Sequence, residues 1–193
     1  MGQFILILGG ARSGKSTHAE QLAAAHGGQI VYIATAQGLD EEMELRIERH
    51  KQNRPTDWQT LEIPRGIGAT LRTLGMEADV FLLDCITLLI TNLVMDATGA
   101  DFEPDKVLAT QKVDQEVEEL LTWIENSPAD WIVVSNEVGM GLVPAYPLGR
   151  VYRDLLGKTN RRLAWKADQV YLMVAGIPVP LHSFRSNKEM SDQ

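Results

Sequence analysis

Gly9, then Gly14, Lys15 and Ser16 give the spacing G-x-x-x-x-G-K-S, a pattern that cradles phosphate groups. Glycines there let the chain wrap round an anion, with successive backbone N–H groups pointing inward at a β-phosphate. Lys15 then reaches the β/γ-oxygens, and the Ser16 hydroxyl can ligate Mg²⁺. The context fits. An apolar run at 4–8 suits a buried parallel strand, and 15–26 suits a helix turning Ala19, Leu22 and Ala23 inward. A glycine turn without a ligand is the alternative, and the strand-loop-helix setting argues against it. The chain is expected to bind a nucleoside triphosphate.

Three further groups could join that chemistry. Asp84 ends the run Phe81-Leu82-Leu83, where a carboxylate can hold Mg²⁺ opposite Ser16; the other reading is a helix N-cap ahead of Ile86. On a helix over 41–52, Arg46, His50 and Arg54 repeat at i, i+4 and i+8 and so share one face. A neutral imidazole between guanidinium groups suits a nucleophile attacking phosphorus, since positive neighbours lower its pKa and steady the phosphates. Spacing alone favours the plainer reading, a solvated helix face with Glu42 and Arg46 as an ion pair. Glu137, in Asn136-Glu137-Val138-Gly139-Met140-Gly141, follows an apolar run at the end where open α/β sheets bind ligands. It could orient a substrate hydroxyl or polarise a metal-bound water, or simply cap a turn. His18 is expected to pack or face water, His26 to close a helix beside Gly27 and Gly28, and His182 to be inert. Cys85 reads as a lone buried thiol, which leaves no disulfide framework within one chain.

The elements that must position these groups follow from pattern. Apolar runs at 4–8, 30–33, 80–83, 131–135 and 170–174 read as strands. Helical patterns at 41–52, Ile67–Leu74, Ile86–Met95, Lys106–Asn126 and 148–167 lie between them. Strands alternating with helices imply an α/β fold with a mostly parallel central sheet and helices on both faces. In 148–167, Leu148, Val151, Tyr152, Leu155, Leu156 and Leu163 recur near 3.6 residues, so one face packs on the sheet. One domain over 1–181 is expected, with a polar tail at 182–193. There is no internal repeat.

The net charge of −8 and pI near 5.0 disfavour nucleic acid and anionic membranes as partners. No segment reaches the roughly 18–20 unbroken apolar residues a membrane span needs, and 4–8 is too short for a signal peptide. Cytoplasmic localisation is the expectation. Guanine recognition of the G-protein kind is not supported: Asn187-Lys188 is followed by Glu189-Met190, and Asp154–Gly157 falls inside a helical pattern.

Several stretches together carry a family resemblance. They are the phosphate loop, Tyr32-Ile33-Ala34-Thr35, the segment Arg46…His50-Lys51…Arg54-Pro55, Asp84-Cys85-Ile86-Thr87, and the run from Asn136 to Pro144. The chain resembles the bifunctional adenosylcobinamide kinase/adenosylcobinamide-phosphate guanylyltransferases of cobalamin biosynthesis, from about residue 4 to 180. The phosphate loop is shared with many NTPases; the His50 and Asn136 stretches are specific to the family. The resemblance implies a RecA-like P-loop NTPase fold and a homotrimer. It also implies two reactions, with GTP and ATP as nucleotide substrates and Mg²⁺ as cofactor. A nucleoside triphosphate phosphorylates adenosylcobinamide, and GTP then gives GMP to that phosphate through a guanylylated histidine. The matching position is His50, which reverses the reading from spacing. Asp84 departs from the pattern, since some members carry Glu there; the shorter side chain can act through water. The expected catalytic residues are His50, Lys15 and Glu137, with Ser16 and Asp84 as metal ligands. Nucleotide binding is assigned to Gly9, Gly10, Ala11, Arg12, Ser13, Gly14, Lys15, Ser16, Thr17, Glu62 and Asp84. A P-loop small-molecule kinase without covalent guanylylation, and a RecA-like regulatory NTPase, are the alternatives; fold alone does not separate them.

Overall fold

Strands covered on both faces need no polar alternation, and the Val/Ile/Leu runs of this chain have none. A computed structural model describes residues 2–38, 48 and 55–181. Its elements run β1 (Phe4–Gly9), α1 (Lys15–His26), β2 (Ile30–Ala34), β3 (Gln59–Glu62), α2 (Ile67–Leu74) and β4 (Val80–Asp84), then α3 (Ile86–Met95), α4 (Lys106–Asn126), β5 (Asp130–Val134), α5 (Pro147–Lys166), β6 (Gln169–Val174) and β7 (Ile177–Pro180). All five expected strands are present, and so are five of the six expected helices. The sixth, at 41–52, and the tail at 182–193 lie outside the described residues, apart from Glu48, which is helical and exposed.

The seven strands lie in the order β3-β2-β4-β5-β1-β6-β7, all parallel except β7. Strand parity sorts the core in two. Phe4, Leu6 and Leu8 of β1 join Val31, Ile33, Phe81 and Leu83 beneath α2–α5. Ile5 and Ile7 join Tyr32, Val80, Leu82 and Val134 beneath α1. Helices therefore cover both faces, as expected. On α5, Leu155, Leu156 and Leu163 are buried, and Leu148, Val151 and Tyr152 pack partly against the same core.

The two edge strands were not anticipated. Three of the four residues of β3 are exposed, so it has no apolar run to read. In β7, Pro178 and Pro180 argue against a strand in general but are tolerated at an edge. A two-residue turn joins β6 to β7, with Ala175 at φ 51 and Gly176 at φ 83, the left-handed pair that tight hairpins require.

Carboxylates staple the amino-terminal edge of the sheet. Asp79, Asp130 and Asp168, each following an alanine, accept the backbone N–H of Gln29, Gln3 and Phe4 at 2.7 Å. His26 closes α1 as expected, its Nε2 3.2 Å from an Asp130 carboxylate oxygen. A fourth carboxylate, buried Glu116 on α4, accepts from Gly66 N (2.7 Å) and Ile67 N (2.9 Å) and so caps α2 from outside its own segment. Glu116→Ala strands both donors. It is expected to lower unfolding stability by about 1–3 kcal/mol in urea titration, with little change in nucleotide binding.

Candidate active site

The phosphate loop connects β1 to α1 on the carboxyl edge of the sheet. Gly9 has φ 154, and a Cβ there would come within 2.6 Å of Ser13 Oγ and 2.8 Å of the Met173 carbonyl. Gly14, at φ 93, is the N-cap of α1 and brings no side-chain cap. By contrast, α4 is capped by Asp105, which accepts from Val107 N and Leu108 N at 3.0 Å. The first-turn N–H groups of α1, left without such a carboxylate, suit an anion. Lys15 is 7% exposed, with Nζ donating to the Gly10 carbonyl at 2.5 Å. Ser16 is half-buried; Gly10, Ala11, Arg12 and Thr17 are exposed.

Two neighbours hold this loop. Glu137 N donates to the Gly9 carbonyl at 3.0 Å, and Gly176 N, at the β6–β7 turn, donates to the Ser13 carbonyl at 3.1 Å. Sequence reading placed Glu137 at the ligand end of the sheet without its bond to the loop, and missed Gly176, which marks only a turn until β7 folds back. The Glu137 carboxylate accepts from Gly139 N at 2.7 Å, so it does cap a turn while standing next to the phosphate loop. That turn is anchored from below. Asn136 N donates to Thr87 Oγ1 (2.8 Å), Ser135 Oγ donates to Asn160 Oδ1 (2.6 Å), and Asn160 Nδ2 donates to the Asn136 carbonyl (2.9 Å).

Register puts the acidic candidates level with the loop. Glu62, Ala34, Asp84, Val134 and Ile7 form one row across β3, β2, β4, β5 and β1. Residues in one row share a face, and Ala34, Val134 and Ile7 belong to the α1 face. Asp84 therefore faces the side on which α1 and Ser16 lie. The N-cap of α3 is Cys85 and there is no side-chain cap, which removes the N-cap reading of Asp84. Its carboxylate instead accepts from Tyr32 Oη at 2.9 Å. Glu62, exposed, stands two strands away, roughly 9–10 Å at the backbone by strand spacing.

Cys85 is half-buried, and its thiol is pushed up to about 12 by burial, with the Asp84 charge adding to the shift. At neutral pH it rests as the thiol. His18 packs edge-on against Tyr171 at 5.6 Å, and burial lowers its pKa, so it is a neutral packing group as expected. His50, Arg46 and Arg54 lie outside the described residues.

The profile of the family described as cobinamide kinase / cobinamide phosphate guanyltransferase matches residues 5–181. This chain belongs to that family. It is 43% identical to the bifunctional adenosylcobalamin biosynthesis protein CobU of Salmonella typhimurium over 180 residues, 92% of this chain and 98% of that protein. With CobU of Escherichia coli identity is 42% over the same shares, and with CobP of Pseudomonas aeruginosa 45% over 176 residues, 91% and 95%. A solved RadB recombinase is similar in fold alone: TM-score 0.50 and 13% identity, over 89% of this chain and 74% of that one. The RecA-like α/β fold and the membership of a kinase/guanyltransferase family expected from the sequence are both borne out. As a family member, the chain is a P-loop enzyme.

Proposed function

We propose that this chain phosphorylates the aminopropanol hydroxyl of adenosylcobinamide and then transfers GMP from GTP to the resulting phosphate, through a covalent adduct on His50. The observation that carries the reading is the open amino end of α1 beside a strand-end carboxylate, Asp84, in a chain of this family. In the first reaction the loop N–H groups and Lys15 hold the triphosphate while the hydroxyl attacks the γ-phosphorus and a nucleoside diphosphate leaves. In the second, neutral His50 attacks the α-phosphorus of GTP, pyrophosphate leaves, and the acceptor phosphate displaces the histidine. One encounter between two polyanions becomes two, each with part of the charge already removed. Glu137 takes a role nearer the substrate or metal than the nucleotide.

A hydroxyl and a carboxylate are hard oxygen donors, the set Mg²⁺ prefers when phosphates and water supply its other ligands. Ser16 and Asp84 would hold it, and bound there it neutralises phosphate charge. No group of three or more His, Cys, Asp or Glu suited to a metal occurs among the described residues, which suits an ion carried in with the nucleotide. One domain over 1–181, a homotrimer and a cytoplasmic location complete the proposal. Among the described residues no helix is long and apolar enough to cross a membrane.

Incubation with Mg²⁺ and GTP followed by intact mass and peptide mapping tests the covalent route. A GMP adduct on His50, labile to acid and stable to base, is the expected result. A protein that binds GTP but forms no adduct would be a plain P-loop kinase.

A further inference from the structure

Four hydrogen bonds from Tyr32 of β2 and Thr35 just beyond it hold Asp84 and Cys85, and only one of them concerns the Asp84 side chain. The backbone around it is fixed by Thr35, a fully buried residue: Thr35 N donates to the Asp84 carbonyl (3.3 Å), Cys85 N donates to Thr35 Oγ1 (2.9 Å), and that hydroxyl donates to the Cys85 carbonyl (2.7 Å). The carboxylate is fixed by Tyr32. Tyr32 pairs in register with Leu82, so Asp84, two residues further along β4, is its diagonal neighbour on the same face. The phenol is 1% exposed, inside the cluster beneath α1, and its hydroxyl donates to Asp84 Oδ2 at 2.9 Å. Burying a hydroxyl costs free energy that a phenylalanine would not incur, so the bond has to offset it. The bond also does what packing cannot: it occupies one carboxylate oxygen, Oδ2, and so fixes how the group is turned.

We propose that Tyr32 is a positioning residue for Asp84, presenting a single carboxylate oxygen to the divalent cation or its water shell. The inference rests on the reading that Asp84 serves that cation. Partners of this kind orient ligands elsewhere, and losing one typically costs 10–100-fold in metal affinity. Here the carboxylate is the shorter Asp, whose reach is smaller than that of Glu, so its orientation matters more.

The test compares Tyr32→Phe, Asp84→Asn and the unmodified chain, with Mn²⁺ as the probe. Mn²⁺ binding in the presence of a non-hydrolysable GTP analogue is followed by electron paramagnetic resonance, alongside metal-free nucleotide affinity and the Mg²⁺ dependence of turnover. Tyr32→Phe is expected to weaken Mn²⁺ binding about 10-fold and raise the half-saturating Mg²⁺ to match. Turnover at saturating Mg²⁺ and metal-free nucleotide affinity should stay within about twofold, a split that a general structural role would not produce. Wild-type Mn²⁺ binding in Tyr32→Phe, with weakened binding in Asp84→Asn, overturns the inference and leaves the metal role of Asp84 intact. Unchanged binding in Asp84→Asn removes that metal role itself. Loss of metal-free nucleotide affinity or of the folded melting transition in Tyr32→Phe makes Tyr32 structural, which also overturns it.

Discussion

Lys15→Ala is expected to lower kcat/KM for phosphorylation and for guanylyl transfer alike, each by about 10²–10³, the usual cost of removing one preorganised charge-stabilising donor. The ammonium is nearly buried and rests on the Gly10 carbonyl, a neutral partner within its own loop. A bound triphosphate offers anionic oxygens instead, so the exchange strengthens as charge develops in the transition state. Alanine abolishes that gain and leaves the glycine carbonyl, on an exposed residue, to water. A melting curve run beside the kinetics separates lost chemistry from lost fold. The comparison of the two rates carries the weight. A common fall means one phosphate loop serves both reactions. Phosphorylation lost with guanylyl transfer intact would mean that GTP for the second reaction sits elsewhere on the chain.

What could be read in the sequence divides along physical lines. Strands β1, β2, β4 and β5 were legible because a parallel strand buried on both faces must be apolar throughout, and β6, only partly buried, still carries an apolar run. The edge strands were not: Gln59, Thr60 and Glu62 of β3 are exposed, and the prolines of β7 are acceptable because, among the described residues, no strand lies beyond it. The site divides in the same way. Gly9, Gly14, Lys15 and Ser16 form a local pattern, and Asp84 and Glu137 mark strand ends, so their shared edge follows from a parallel sheet. Tyr32, Thr35 and Gly176 act across register pairings and a hairpin, which no local window contains. Tyr32 and Thr35 did stand within a quoted family stretch, but nothing in that stretch says which carboxylate the phenol reaches. The Ala-Asp pairs at 78–79, 129–130 and 167–168 were a signal available and unused: each opens the next strand of the sheet and staples its neighbour's entry.

His50→Ala separates the two activities where Lys15→Ala joins them. Guanylyl transfer should fall by at least about 10³-fold, the scale on which removing a covalent nucleophile leaves only binding and electrostatics. Phosphorylation of the cobinamide hydroxyl should stay within about threefold, because that reaction asks nothing of an imidazole: its nucleophile is the substrate oxygen. The GMP adduct should vanish from the mass spectrum in the same variant, while nucleotide affinity, set by the loop and Lys15, persists. The argument rests on charge. Direct attack by a phosphate dianion on a triphosphate opposes like charges at short range, whereas neutral imidazole approaches without that penalty and leaves with pyrophosphate already gone. His50 must be neutral to do so, and Arg46 and Arg54 at helical spacing favour that form. Arg46→Glu should accordingly slow adduct formation more at pH 6 than at pH 8, since a carboxylate neighbour raises the imidazole pKa and protonates more of it in the acid range. Full guanylyl transfer in His50→Ala would exclude the covalent route and return His50 to the solvated helix face that its spacing alone suggests.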